Sequence, residues 1–291
     1  MRYRALSARG QVVSAVSLIL QPGAQHRTAH EWVSLIYSAL ECGVSGFEVR
    51  GLDAALGEGL ARALSSVDRR LAFVALRLGL GQGRQASLSA VGGQVQGALA
   101  ATGLEYLDAV LMSPPAQVTA DGVKQLGALK SAGLARALGV AGSGAELDAL
   151  VAEGMLDILS TGYSLLSGWD ERRRVRAAVD CNMGVIGYGS FPKEQLERLI
   201  QPRARDRQNP LAGVGGYDFL ENNKDWTCEE LCLAYALTET SLASVLVRAQ
   251  SIEHLERLAD VPDRELPSGV AAQIEMARFS SLAADEARRT A

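Results

Sequence analysis

Short apolar runs alternate along the chain with longer segments in which apolar residues recur every three or four positions. The segment LDAVLM at 107–112 is mostly apolar, and Pro114-Pro115 ends it. A parallel strand that is buried on both faces has this pattern. The segment TAHEWVSLIYSALECG at 28–43 has helical periodicity, with Thr28 as the predicted N-cap and Gly43 as the stop.

The two patterns predict eight strands, each followed by a helix. The predicted strands are 14–20, 46–50, 71–77, 107–112, 135–140, 155–160, 183–188 and 241–247. The predicted helices are 28–43, 53–66, 86–102, 119–133, 144–153, 169–180, 227–238 and 252–260. This order predicts an α/β fold, a (β/α)8 TIM barrel. A doubly wound open sheet is the alternative, although no GxGxxG motif follows the first strand.

Further segments lie outside the repeating units. Residues 3–6 and 11–20 predict an N-terminal β-hairpin with Ala8-Arg9-Gly10 as its turn. An extra C-terminal helix is predicted over 268–288. We interpret 1–291 as one barrel domain whose long loop after strand seven, 189–226, has no predicted element. A loop of that length is usually functional or mobile.

Composition narrows the class of protein. The chain is 48% hydrophobic with a formal net charge of -4 and scattered basic residues, so we expect no nucleic-acid partner. No apolar run is long enough to span a bilayer and the N-terminus has no signal-like segment, which predicts a cytoplasmic protein without membrane insertion. Cys228 and Cys232 have helical spacing, but the three histidines are not placed to complete a metal site, so we predict none.

Several segments, in the same order along the chain, resemble the aldo-keto reductase family. They are ALECGVSGFEVRG, LGEGLARAL, GLEYLDAVLM, LKSAGLARALGV, LSTGYSLL, GVIGYGSF and VLVRAQSIEHLE. The resemblance implies the same barrel and a nicotinamide cofactor bound across the carboxyl ends of the strands.

The resemblance also implies where a catalytic tetrad of Asp, Tyr, Lys and His would lie. The four positions hold Glu48, Asp53, Arg77 and Ser113, so all four residues are replaced. A phenol can donate a proton to a carbonyl at neutral pH, whereas an exposed aspartate is already ionised and repels the developing oxyanion. We therefore predict a catalytically degenerate homologue with no catalytic residues.

The cofactor positions give a mixed picture. The residues that the resemblance implies for cofactor binding are Tyr188, Gly189, Ser190, Phe191, Arg248, Gln250 and His254. Tyr188 would stack on the nicotinamide, and the helix that begins near Ser251 would face a phosphate. The positions that hold the carboxamide and adenine in the family are changed to Ala141, Gly142, Ser160, Arg257 and Leu258. Because His254 replaces a phosphate-binding residue, NAD(H) is favoured over NADP(H).

Loss of the tetrad implies a regulatory role. Degenerate members of this family include NAD(H)-linked regulators of cell division in alphaproteobacteria, so we expect protein partners, namely FtsZ and a cell-cycle kinase. The 192–226 loop and the final helix, with Asp285, Glu286, Arg288 and Arg289, are the candidate partner surfaces.

Two alternatives remain open at this stage. In one, Glu48, Asp53 and Arg77 form the acid/base set of a lyase or isomerase. In the other, the protein is a weak NAD(P)H-dependent oxidoreductase whose proton donor is Tyr163 or Tyr188.

Overall fold

Eight parallel strands close into a barrel, as the alternating pattern predicted. The computed structural model describes residues 1–6, 10–23, 27–79, 88–115, 118, 120–200, 217–221 and 223–278. The barrel strands are β3 (Val16–Leu20), β4 (Gly46–Arg50), β5 (Phe73–Gly79), β6 (Leu107–Ser113), β7 (Ala135–Gly142), β8 (Ile158–Gly162), β9 (Gly184–Tyr188) and β10 (Ser244–Val247). Strand β10 pairs with both β3 and β9, so the sheet has no open edge and the doubly wound alternative was wrong.

Helices surround the barrel in the predicted order. They are α1 (Ala29–Glu41), α2 (Ala54–Leu64), α3 (Leu88–Thr102), α4 (Ala120–Ser131), α5 (Ala145–Glu153), α6 (Trp169–Asp180), α7 (Lys193–Ile200), α8 (Cys228–Leu237) and α9 (Ile252–Asp260), and residues 270–278 form α10. Thr28 caps α1 through the backbone N–H of Glu31, as the pattern indicated. None of the helices in the described ranges has the length and apolar character that crossing a membrane requires.

The predicted N-terminal hairpin closes one end of the barrel. Strands β1 (Tyr3–Ala5) and β2 (Val12–Ser14) pair in antiparallel register. Leu6 is buried at the bottom of the interior, and a Cβ added to Gly184 would lie 1.9 Å from the Leu6 carbonyl oxygen. Only glycine allows the two backbones to approach so closely. Ala8 and Arg9 of the predicted turn lie outside the described residues.

Inward and outward side chains alternate along every barrel strand. The outward side chains pack against the helices in the main core, and the inward ones fill the barrel. The inward apolar residues include Ile19, Phe73, Leu111, Ile158, Ile186 and Leu246. The next inward positions toward the carboxyl ends are polar on most strands, with Ala141 of β7 as an apolar exception, which places polar groups in a layer at the open mouth.

Five predicted strands begin later than the sequence indicated, by one residue at 183 and by two or three residues at 14, 71, 155 and 241. The segment 71–77 starts as a 3-10 turn, Arg69–Leu71, because the Asp68 side chain accepts a hydrogen bond from the backbone N–H of Arg70. The segment 155–160 becomes β8, Ile158–Gly162. Asp157 precedes it, with backbone hydrogen bonds to Leu138 and Gly184, and its carboxylate accepts from Lys130 Nζ at 2.7 Å and from the backbone N–H of Leu138. The segment 241–247 becomes β10.

The prediction of a loop without elements over 189–226 was wrong in its described part. Residues Lys193–Ile200 form α7 and Asp218–Leu220 form a 3-10 turn. Leu196 packs in an apolar cluster with Tyr217 and Leu220, and that tertiary contact favours the helix. The extra C-terminal helix is present over 270–278, where Val270 and Ile274 pack in the same cluster. The charged residues at 285–289 and loop residues 201–216 lie outside the described residues.

Candidate functional site at the barrel mouth

Paired strands place a carboxylate and two guanidinium groups at the open end of the barrel. Glu48 and Arg50 have the inward parity of β4, and Arg77 has that of β5. Arg50 and Arg77 are register partners. Gly51 follows with a φ of 77°, a conformation that glycine adopts readily, and turns the chain away from the mouth.

Glu48 lies between the two guanidinium groups. Its side chain is 2% exposed, its Oε1 accepts from Arg50 Nε, and the same oxygen is 3.7 Å from Arg77 Nη1. Arg77 Nη2 donates to Ser113 Oγ at 3.2 Å. The structure therefore brings together three of the four tetrad positions as an ion-paired cluster with a hydroxyl at its edge.

Asp53, the fourth tetrad position, has a different role in the described structure. It is exposed and is the N-cap of α2, where its carboxylate accepts from the backbone N–H of Leu56 at 2.8 Å. A carboxylate at a helix N-terminus is favoured by both the cap bond and the helix dipole. Asp53 is therefore a capping residue, and this contact turns its carboxylate toward the helix backbone.

Tyr188 ends β9 with its ring beneath the arginine pair. The guanidinium carbons of Arg50 and Arg77 lie 5.6 Å and 5.2 Å from the ring centroid, within cation–π range. Of the next three residues, Gly189 is exposed, Ser190 is buried, and Phe191 packs against the apolar cluster of Leu196 and Tyr217. Of these four predicted cofactor residues, Tyr188 therefore has the clearest place in the mouth.

Arg248 adds a third guanidinium group from the end of β10. Its Nη2 donates to Gln21 Oε1 at 2.7 Å. Burial lowers the pKa of Arg248, the charges of Arg50 and Arg77 lower it further, and Glu48 opposes them. An arginine remains charged despite such a shift, so the mouth holds three cations around one carboxylate.

The turn from β10 into α9 holds the remaining predicted cofactor residues. Ser251 caps α9 by accepting from the backbone N–H of His254 at 3.1 Å. The His254 ring contacts the Gln250 backbone N–H through Nδ1 and Glu229 through Nε2, at 3.3 Å and 3.2 Å. Arg27 Nη2 donates to the Gln250 carbonyl at 2.9 Å and so ties the turn to the segment before α1.

Tyr163 is not part of this mouth. Its side chain is buried in the main core, and its hydroxyl donates to Glu239 Oε2 at 3.2 Å. Burial raises the pKa of the Tyr163 phenol, which makes it a poorer proton donor. The geometry thus gives no support to Tyr163 as a relocated catalytic acid.

The sequence reasoning overlooked Arg50 and Gln21. Arg50 lies outside the tetrad of the resembled family, although it shares the period-2 alternation of Glu48 and could have been found from that. No sequence pattern pointed to Gln21, because its contact with Arg248 joins residues that are far apart in the sequence.

The comparisons with known proteins bear on this geometry. The model of the Aldo/keto reductase family matches residues 52–278, which is more than half of the chain. The chain belongs to the aldo/keto reductase family. Two similar solved structures are the holo and apo forms of aldo-keto reductase AKR11C1 from Bacillus halodurans. Each is 18% identical and covers 94% of this chain and 95% of its own, with TM-scores of 0.71 and 0.72. No curated protein sequence matches this one.

Aldo/keto reductases generally bind NAD(P)H, so the fit of the mouth to a dinucleotide can be tested against its residues. The phosphate end fits, because Arg248 and the capped N-terminus of α9 present positive charge and backbone donors. The nicotinamide end fits less well, since two guanidinium groups already lie over the Tyr188 ring. Among the described residues no cluster of three or more His, Cys, Asp or Glu side chains could hold a metal ion.

Proposed function

We infer that this aldo/keto reductase is a degenerate, non-catalytic member of its family that binds NAD(H) and acts as a regulatory protein. The observation that carries the inference is the ion-paired cluster at the mouth, in which Glu48 accepts from Arg50 and lies 3.7 Å from Arg77. Hydride transfer to a carbonyl produces an alkoxide that must be protonated. A guanidinium is too weak an acid to deliver a proton at a useful rate, although it can attract that oxygen.

Neither the Ser113 hydroxyl nor the Asp53 carboxylate replaces the missing acid. Ser113 accepts a hydrogen bond from Arg77, and an aliphatic hydroxyl is a far weaker acid than a phenol. Asp53 is engaged in capping α2. The four tetrad positions therefore supply no proton donor for the reduction step, which supports a protein that holds a dinucleotide without turning it over.

Arg248 and the α9 N-terminus would hold the phosphates. The reduced form should bind more tightly than the oxidised one, because Arg50 and Arg77 over the Tyr188 ring repel the positively charged nicotinamide of NAD+. NADH is favoured over NADPH, since the His254 ring is already engaged by Glu229.

The finer part of the proposal is a KidO-like role in cell division and the cell cycle, with FtsZ and a cell-cycle kinase as protein partners. It is supported by the family membership and by the replacement of the tetrad residues together. Trp169 is the first residue of α6 and is 72% exposed, so an apolar side chain is available to a protein partner. The α10 helix contacts the same helix through the ion pair between Arg172 and Glu275.

A fluorescence titration tests the proposed function. The Arg27 guanidinium lies 5.0 Å from the centroid of the Trp32 ring and also donates to the Gln250 carbonyl. The fluorescence of Trp32 should therefore change when the β10–α9 turn binds phosphate. A Trp169→Phe background removes the most exposed indole. Saturable quenching by NADH, with no oxidation of NADH by a panel of aldehydes and ketones, supports the proposal. Turnover of any carbonyl contradicts it, and absence of NADH binding contradicts its cofactor part.

A second candidate function is a lyase or isomerase that uses Glu48 as a base. The observation in its favour is Glu48 Oε2, a buried oxygen for which no described residue is a hydrogen-bond partner. Glu48→Gln would abolish such an activity without abolishing NADH binding, and this separates the two candidates.

A further inference from the structure

Two arginines flank one carboxylate at the barrel mouth, and a third arginine lies within the electrostatic reach of all three groups. Arg50 and Arg77 lie on β4 and β5, Arg248 directly follows β10, and Glu48 is the carboxylate. Within the described ranges no second carboxylate pairs with them. The cluster therefore carries two positive charges in excess, in the region where parallel barrels bind their ligands.

Unused hydrogen-bonding groups face the same region. No described residue accepts from the buried Nη2 of Arg50, and the buried Oγ of Ser160 likewise has no partner among them. Ser113 Oγ accepts from Arg77, which leaves its own hydrogen to donate. A buried donor without an acceptor is destabilising. Water can accept these hydrogen bonds, but water does not neutralise the excess charge.

We propose that the barrel mouth binds a small organic dianion, either a phosphate monoester or a short dicarboxylate. Two negative charges match the excess of two positive charges from Arg50, Arg77 and Arg248 against Glu48. Guanidinium groups bind the oxygens of phosphate and carboxylate in pairs, and Ser113 and Ser160 add hydroxyl donors. This site shares Arg248 with the proposed phosphate contact of NAD(H), but it goes beyond the proposed function because it requires neither a dinucleotide nor hydride transfer.

The contact of the arginines with Tyr188 supports a binding role over a purely structural one. A structural ion pair needs one cation for Glu48, yet two lie on its Oε1 side and both also lie over the Tyr188 ring. The side chains of Arg50 and Arg77 are 17% and 16% exposed, so an anion can reach them while most of each side chain is shielded from water. Shielding of this kind limits screening by salt.

Calorimetric titration of the full chain without nucleotide tests the site. Inorganic phosphate, malonate and acetate are the probes, with chloride holding the ionic strength constant. We expect saturable binding of phosphate or malonate and much weaker binding of acetate. The preferred dianion distinguishes the phosphate source from the dicarboxylate source. Absence of saturable binding by either dianion overturns the proposal, whatever the separate NADH titration shows.

Two variants with opposite expected effects provide the decisive comparison. Arg248→Gln, which leaves the Glu48 ion pairs in place, should weaken dianion binding about tenfold or more. Glu48→Gln removes the carboxylate of the cluster and should strengthen binding about tenfold. Arg62→Gln is the matched control, because Arg62 is exposed on α2 and pairs only with Glu58 in the described structure. Equal losses in Arg248→Gln and Arg62→Gln would overturn the proposal, provided that circular dichroism shows each variant folded.

Discussion

Arg50 and Arg77 are directly paired across β4 and β5, and both guanidinium groups lie over the ring of Tyr188. Like charges opposite each other on neighbouring strands are destabilising by themselves. Here Glu48 compensates, because its Oε1 accepts from Arg50 Nε and lies 3.7 Å from Arg77 Nη1. The favourable placement of the two arginines therefore depends on the Glu48 carboxylate, and the stability of the buried carboxylate depends on the arginines.

This dependence predicts strong coupling between Glu48 and Arg50. Arg50→Gln leaves the buried carboxylate with one cation and should lower the free energy of unfolding by about 2 kcal/mol or more. Glu48→Gln combined with Arg50→Gln should cost less than the sum of the single changes, and a double-mutant cycle by urea unfolding measures the difference. Additive effects would show that the pair is not coupled.

The cap of α2 predicts a stability effect at Asp53 rather than a catalytic one. Asp53→Ala removes the hydrogen bond to the Leu56 backbone and should lower the free energy of unfolding by about 1 kcal/mol. Asp53→Asn keeps a capping oxygen and should be nearly neutral. Asp53→Tyr should create no carbonyl turnover, because Ser113 still occupies the histidine position. Turnover in Asp53→Tyr would contradict this assignment.

The hairpin at the bottom of the barrel predicts a severe effect of one methyl group. In Gly184→Ala the added Cβ would meet the Leu6 carbonyl oxygen at 1.9 Å, so the hairpin or β9 must shift. We expect a loss of about 3 kcal/mol in denaturant unfolding. Gly97→Ala is the control, since Gly97 is exposed within α3 and a Cβ there meets nothing within 4 Å. It should gain about 0.5–1 kcal/mol.

The contact between α6, α8 and α10 predicts a pH dependence. Burial raises the pKa of Glu275, but the Tyr235 hydrogen bond and the charges of Arg278 and Arg172 outweigh it, so the pKa is lowered from 4.5. A carboxyl with a depressed folded-state pKa stabilises the protein above its unfolded pKa. That contribution is lost as the pH falls below about 4.5 toward the folded value.

Thermal unfolding across the acidic range measures this contribution. The melting temperature of wild type should exceed that of Glu275→Gln at neutral pH, and the two curves should converge as the pH falls below 4.5. Glu194→Gln, an exposed change on α7, should show a constant small difference. A gap between wild type and Glu275→Gln that does not narrow in acid would contradict the role given to Glu275.

Much of the fold follows from the sequence alone. The two periodicities, 2 for strands and 3.6 for helices, are local properties, so the strand–helix order and caps such as Thr28 could be read directly. Strand starts were less accurate, because local turns are not visible in the periodicity: before β5, Asp68 accepts from the backbone N–H of Arg70 and residues 69–71 form a 3-10 turn. The position of Glu48 and Arg77 at strand ends could likewise be predicted from pattern and resemblance.

Only the tertiary structure decided how those residues meet. Closure of the barrel places β10 beside β3 and β9, which brings Arg248 into the field of Arg50 and Arg77, although they are far apart in the chain. The capping role of Asp53 and the engagement of the Tyr163 hydroxyl by Glu239 likewise depend on backbone direction and packing. Charges and hydrogen bonds act through space, so a linear pattern reveals which groups are available, and the fold determines which of them interact.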